Sequence, residues 1–469
     1  MEPDRRGRRP ALPAHGSAVR PDPAVPGAGD SPDRPEITNV LVFLSDQQRF
    51  DSVGAYGNPL DLTPELDRAA AGGMLVSHAF TPQPVCAPAR AMLQTGQYQN
   101  RTGVYRNGIP LPPDVPTLAH HFTAAGYQTG YIGKWHLAGT DSAPVPPHLR
   151  GGYDYWLAAD VVEFISDAYD ARLYDGDGAE VRLPGYRADA YVDAAIRWLA
   201  QPRQAPFFLF LSLIEPHHQN TRDDYPAPAG YADRYADRWT PPDLAALGGS
   251  TSEHLAGYWG MVKRVDEAFG RLLDALTSLG LRDNTVVAYT SDHGCHFKTR
   301  NGEYKRSAHD ASIRVPLVLS VPGRTGPAPR RLVSLIDLPP TLLDAAGLPV
   351  PAQMQGRSIL AEAGEPDDDD HDDDVFVQIS ESQVGRALRT RRWTYAVVAR
   401  DADGWDDPGA SEYGEDLLYD LDADPHELTN LAGRPEYADV AADLRRRLIA
   451  RMVAAGEPAP VISPVTVDR

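Results

Sequence analysis

The sequence predicts an α/β fold: a large, mostly parallel sheet with helices on both faces, followed by a smaller C-terminal α+β subdomain with a short antiparallel sheet. Three observations carry this. Near-continuous apolar, β-rich runs such as 37–45 (ITNVLVFLS) read as strands buried on both faces. Such runs alternate with helical stretches as far as residue 291. Beyond the acidic run EPDDDDHDDD (365–374) the pattern changes to short strands and one closing helix.

Taken in order, the strand 37–45 ends abruptly in Asp46-Gln47-Gln48-Arg49. A helix is expected over 63–72, capped by Thr63 with Pro64 at its first position. Residues 86–90 (CAPAR) resemble a first helical turn, where proline is tolerated, so Cys86 falls at a helix N-terminus. A helix over 117–126 precedes a strand over 127–133, and a helix over 187–200 precedes a strand over 206–214. The long amphipathic stretch 253–280 ends at a glycine and leads into a strand over 285–291. Residues 219–250 show no clear element and read as a pocket-lining loop whose acidic residues suit a cationic or hydroxyl-rich leaving group. The acidic run is a solvated linker without the glycine-punctuated spacing of a calcium loop. The expected organisation is a disordered Pro/Arg-rich tail (1–35), a catalytic α/β domain (36–362), an acidic linker (363–374) and an α+β subdomain (375–469).

Bulk properties exclude several classes. A net charge of −20 over 469 residues disfavours nucleic acid, which this surface would repel. No apolar run reaches membrane-spanning length, and no hydrophobic stretch follows the N-terminal arginines, so no membrane partner and a cytoplasmic location are expected. Cys86 and Cys295 give no disulfide framework. Only four lysines stand against a large excess of arginine, which draws attention to Lys134 and Lys305.

In parallel α/β sheets ligands bind beyond the carboxyl ends of the strands. Strand 37–45 delivers Asp46 and Gln47 there, and strand 285–291 delivers Asp292 and His293. Alone, either pair can be a helix cap or a turn. Together they place carboxylates where only a cation relieves their repulsion, and an oxygen-rich set with one imidazole suits Ca²⁺ or Mg²⁺ and leaves Mn²⁺ open. Strand 206–214 delivers His217 and His218, and strand 127–133 delivers Lys134 and His136. Cations beside a metal predict an anionic substrate group with several oxygens, sulfate or phosphate. Arg90 lies one turn beyond Cys86 on the same helix face.

CAPAR followed by AMLQTG resembles the signature of formylglycine-dependent (type I) sulfatases of the alkaline phosphatase superfamily, through Cys86, Pro88, Arg90, Thr95 and Gly96. Further blocks between about residues 38 and 432, among them GYIGKWHL, IEPHH, VVAYTSDHG and YKRSAHDASIRVPLVL, resemble the family in the family's order. The resemblance implies an alkaline-phosphatase-like fold and a sulfuric ester hydrolase matured by a formylglycine-generating enzyme. Cys86 would then be the precursor of an aldehyde. Its hydrate attacks sulfur with one hydroxyl and expels the bound sulfate when the other loses its proton. The implied metal set is Asp46, Gln47, residue 86, Asp292 and His293, with Ca²⁺ expected and Mn²⁺ or Mg²⁺ open. Arg90 and Lys134 would hold the diol, His136 would take the proton that releases sulfate, His217 would protonate the leaving oxygen, and Lys305 would grip the sulfate. His218 and His296 are neighbours that reach substrate or pack. The implied substrate is a sulfated small molecule or sugar.

Gln47 departs from the two consecutive aspartates common in the family and removes one negative charge. Gln47 with His293 also resembles the phosphonate monoester hydrolase branch, so a phosphonate monoesterase or phosphodiesterase on the same scaffold is the alternative. A non-catalytic anion-binding relative is a second alternative, opposed by intact Cys86, Arg90, Lys134, His136 and Lys305.

Overall fold

The computed structural model describes residues 38–324, 328–360 and 373–465. The expected tail (1–35) and all but the end of the acidic run lie outside them. A nine-stranded sheet forms the centre. Its middle consists of five parallel strands, in spatial order Thr285–Ser291, Asn39–Ser45, Phe207–Ser212, Gln128–Lys134 and Tyr155–Ala159. Antiparallel strands complete both edges, Leu317–Ser320 and Met74–Leu75 on one side, Ala171–Asp175 and Glu180–Leu183 on the other.

The apolar run of the first strand is continuous because both its faces are covered. Val40, Val42 and Leu44 point into a core built with the helices Cys86–Thr95, Leu118–Ala124 and Leu338–Ala345. Leu41 and Phe43 point the other way, against Pro64–Gly72, Arg187–Leu199 and the long helix Thr251–Ser278. Alternation of side chains along a strand makes this division unavoidable.

A second sheet of five strands follows, ordered Asp374–Ile379, Val384–Thr390, Trp393–Ala399, Glu412–Asp420 and Val461–Ser463. The helix Ala438–Ala454 covers one face through Leu444, Leu448 and Met452. The other face, with Val375, Val377 and Ala387, packs on Phe80 and Ile313 of the larger unit. Among the described residues no helix is long and apolar enough to cross a membrane.

Two expectations need correction. Thr63 precedes the helix Pro64–Gly72, but its hydroxyl does not cap it. It accepts the Gly54 N–H at 2.8 Å and donates to Asp67 Oδ1 at 3.1 Å. The cap comes from the long helix instead: Asp266 accepts the N–H of Leu66 at 2.8 Å and of Glu65 at 3.1 Å. A carboxylate there satisfies two orphan donors and faces the positive end of the helix. Asp266→Ala is expected to cost about 1–2 kcal/mol of stability, read as a lower urea midpoint at unchanged slope. The second correction concerns 219–250, which contains the short helices Tyr231–Tyr235 and Pro242–Leu247. Tyr225, Tyr235 and Leu244 pack there against Tyr258 and Trp259 of the long helix.

Candidate active site

Strand register brings the predicted residues together. Leu44 and Gly133 both lie beside Ser212, Ser45 lies beside Ser291, and Lys134 lies beside Ala159. The residues that follow therefore share one edge. Gly133 is required here: its φ is +106°, and a Cβ would lie 1.9 Å from the Ser212 carbonyl oxygen.

Cys86 opens the helix Cys86–Thr95. No side chain caps it at Val85; the Asn107 side-chain oxygen instead accepts the Ala87 N–H at 3.0 Å. The helix closes on Gly96 in the left-handed region, where a Cβ would press on Met354. Cys86 Sγ lies 2.8 Å from Lys305 Nζ, 3.2 Å from His293 Nε2 and 3.9 Å from Asp46 Oδ1. Burial opposes ionisation of this thiol, but Lys134, Lys305 and His293 outweigh it and hold it well below the usual thiol range.

Asp46 is fully buried between cations. Its Oδ2 accepts Arg90 Nη2 at 2.9 Å and Lys134 Nζ at 2.8 Å. Burial opposes its charge, yet Lys134, His217 and Arg90 outweigh burial and keep it far below the carboxylate range. Arg90 also donates to the Lys134 carbonyl at 2.9 Å and Ser212 Oγ at 2.6 Å, and its Nε lies 3.3 Å from Asp292 Oδ2. Asp292 sits in the same buried cluster, and burial with Asp46 beside it raises its affinity for a proton.

The remaining donors suit a cation. Ligand atoms of Asp46, Cys86, Asp292 and His293 lie within 4.8 Å of one another. His293 Nδ1 donates to the Gly294 carbonyl at 3.0 Å, which leaves the Nε2 lone pair for the cluster. Gln47, at φ +65°, gives its N–H to Asp292 Oδ1 at 3.1 Å, and Nε2 donates to the Tyr225 hydroxyl at 3.0 Å. Its Oε1 is buried without a donor. Two carboxylates, an imidazole and the orphaned carbonyl oxygen of the residue next to Asp46 make a donor set that fits a hard divalent cation. With the Cys86 thiolate set aside, Asp46, Asp292 and Glu163 balance Arg90, Lys134 and Lys305 in this cluster.

His217 donates from Nδ1 to the His218 carbonyl at 2.7 Å and presents Nε2 to Lys305 Nζ at 3.2 Å. His218 stacks between His217 and Tyr304, both at 4.3 Å, and lies 3.4 Å from Gln47 Nε2. Burial, His217 and Lys305 keep it neutral. His296 is fully buried, and its Nε2 donates to the Lys305 carbonyl at 3.0 Å. Cys86 and Cys295 are both free, and burial raises the Cys295 thiol to about 11.

Glu163 was not visible in the sequence pattern. Its Oε1 lies 3.0 Å from Lys134 Nζ and 3.9 Å from His136 Nδ1, and it is 3% exposed. Burial opposes its charge, but Lys134, His136 and His217 hold it below the carboxylate range. Tyr225, which orients Gln47, and Asn107, which caps the helix of Cys86, were also missed. Three of the five acidic residues of 219–250 are paired within the protein. Asp223 is bound by Lys298 and Tyr304, Asp224 by Arg222, and Asp243 by Arg49.

Known proteins agree with this architecture. The sulfatase family model matches residues 38–348, and the model described as N-sulphoglucosamine sulphohydrolase, C-terminal, matches residues 302–454. An ulvan-active sulfatase of Formosa agariphila is 31% identical over 443 residues, covering 91% of this chain and 83% of its own. A chain solved in complex with its substrate D-glucosamine-2-N,6-O-disulfate aligns at TM-score 0.72 and 24% identity, over 90% of this chain and 98% of that one. The phosphonate monoester hydrolase of Agrobacterium radiobacter aligns at TM-score 0.65 and 25% identity, over 89% and 96%. From its first parallel strand to its closing helix, the chain belongs to the sulfatase family.

Proposed function

We propose that this enzyme hydrolyses a sulfate monoester of a small molecule or sugar with a formylglycine made from Cys86. The observation that supports the reading most is the position of Cys86 Sγ, which marks the place of the modified residue's oxygens. It stands at a helix N-terminus with Lys305 at 2.8 Å, His293 at 3.2 Å and Asp46 at 3.9 Å. When present, the hydrated aldehyde supplies an oxygen nucleophile and a second hydroxyl through which sulfate is released. Asp46, Gln47, Asp292 and His293 would hold a divalent cation beside it, Ca²⁺ by their oxygen-rich chemistry, with Mn²⁺ and Mg²⁺ as the competing ions. That cation adds positive charge to an already balanced cluster, so the site favours an anion.

The chain's own residues supply the rest. Arg90 and Lys134 fix the nucleophile through Asp46. Lys305 offers its ammonium to the sulfate oxygens. His217, held by the His218 carbonyl, donates a proton to the leaving oxygen. His136 accepts the proton whose loss frees sulfate, and Glu163 holds Lys134 and faces the same imidazole.

Protein produced with a formylglycine-generating enzyme is expected to carry the aldehyde or its hydrate in tryptic peptide 69–90, and to release sulfate from para-nitrophenyl sulfate in a chelator-sensitive way. An unmodified thiol in an active preparation removes the mechanism. Absence of any ester turnover would leave the anion-binding relative. Gln47 in place of a second acid, with the likeness to a phosphonate monoester hydrolase, supports a second reading on the same scaffold. An aryl phosphonate monoester hydrolysed faster than the aryl sulfate would decide for it.

A further inference from the structure

We propose that Arg106 and Trp405 form a subsite for a second anionic group on a sulfated sugar, beside the ester being cleaved; this rests on the sulfatase reading above. Trp135, Trp156, Trp198 and Trp259 are buried, whereas Trp405 is 47% exposed. Its loop is nevertheless tied down. Asp403 Oδ1 accepts the N–H of Trp405 at 2.8 Å and of Asp406 at 3.2 Å, and the Tyr105 hydroxyl donates to the Asp406 carbonyl at 3.0 Å. A rigid, half-exposed indole offers a stacking surface at little entropic cost.

Arg106 lies on this indole, its guanidinium carbon 4.7 Å from the ring centroid. Its one hydrogen bond among the described residues runs from Nη1 to the Asn107 carbonyl at 3.0 Å, and no described carboxylate lies within ion-pair distance. Nε is buried without a hydrogen-bond partner, so Nη2 and the second Nη1 proton are the donors left to meet a carboxylate or sulfate.

The pair is anchored to the catalytic cluster from two directions. Asn107, the next residue, holds the Ala87 N–H beside the nucleophile. Glu381 Oε1 accepts the Asn107 N–H at 2.7 Å, and Glu381 pairs with Arg306, the neighbour of Lys305. These links place Arg106 one residue from the side chain that holds the start of the Cys86 helix, so a sugar ring following the scissile ester would meet Trp405 with its second charge at Arg106.

The test compares Arg106→Gln, Arg106→Lys and Trp405→Ala with the parent enzyme on three probes: para-nitrophenyl sulfate, D-glucosamine-2-N,6-O-disulfate, and a sulfated disaccharide containing a uronate. Arg106→Gln is expected to raise KM for an anionic sugar about tenfold, with Arg106→Lys in between, while para-nitrophenyl sulfate is hydrolysed as before. Trp405→Ala should weaken the sugars and spare the aryl ester. An effect confined to the disulfate or to the uronate identifies the anion. Equal KM values for both sugars in all variants overturn the subsite. Calorimetric binding of both sugars to Cys86→Ala protein, with and without Arg106→Gln, reads the subsite without turnover. Loss of all sulfate hydrolysis in the parent would instead strike the sulfatase reading, and equal binding there would overturn the subsite as well.

Discussion

Cys86→Ala will lose turnover of para-nitrophenyl sulfate by roughly 10⁴-fold or more while remaining folded. Alanine is tolerated within the first helical turn and the change removes only one buried atom, so the thermal midpoint should move little. Nothing else in the pocket replaces the lost nucleophile. Lys305, His293 and Asp46 surround the position of Sγ and are held by one another, Lys305 Nζ lying 2.9 Å from His293 Nε2 and His293 Nε2 3.6 Å from Asp46 Oδ1. Cys86→Ser separates attack from release. A serine oxygen can still attack sulfur and expel the leaving group, but it has no second hydroxyl with which to re-form a carbonyl. The expected result is a burst of about one product per chain, then a stall, with sulfate found on peptide 69–90 by mass spectrometry. Steady turnover by the serine variant at the parent rate would defeat the diol mechanism while leaving the fold and family untouched.

Much of this site was legible because parallel sheets convert sequence position into spatial position. Asp46, Lys134, Asp292 and His293 each follow a strong apolar run, and the registers Ser45–Ser291 and Gly133–Ser212 bring those run ends side by side. What escaped has no such run behind it. Glu163 follows the strand Tyr155–Ala159, whose five residues carry little periodicity, and the edge strands beyond it are cut by a turn at 176–179. Tyr225 lies in a segment held by aromatic packing against the long helix rather than by local propensity. The cap by Asp266 was hidden for a related reason. A local rule pointed to Thr63, but the carboxylate 200 positions from Leu66 reaches the same amide from another helix. The partners of Asp223 and Asp243 escaped because Lys298 and Arg49 are distant in sequence. The strand Val461–Ser463 is three residues long and exists only through parallel pairing with Glu412–Asp420.

Glu163→Gln is the more discriminating variant, because it tests a residue that sequence pattern did not reveal. Lys134 keeps Asp46 at 2.8 Å when Glu163 is neutralised, so it stays charged and the nucleophile stays in place. What changes is the support behind His136. That residue sits at φ +61°, its N–H fixed on the Asp160 carbonyl at 3.0 Å, and its buried Nδ1 has no hydrogen-bond partner. Glu163 Oε2 is equally buried and unpartnered, and the two side chains approach to 3.9 Å. Catalytic contacts of this kind commonly tighten only with substrate bound. A carboxylate there selects the tautomer in which Nε2 accepts a proton and stabilises the imidazolium that results. If His136 serves the release of sulfate, the variant slows that step and spares the attack. Turnover should then fall about 10–100-fold with KM falling alongside it, so kcat/KM changes by no more than about threefold. Sulfate should accumulate on residue 86 during steady state, and Glu163→Asp should recover part of the rate. Stability should drop by at most about 3 kcal/mol, because one buried partner of Lys134 remains. A purely structural glutamate gives another pattern: kcat/KM falls with kcat, stability falls with both, and no sulfated enzyme appears in the peptide map.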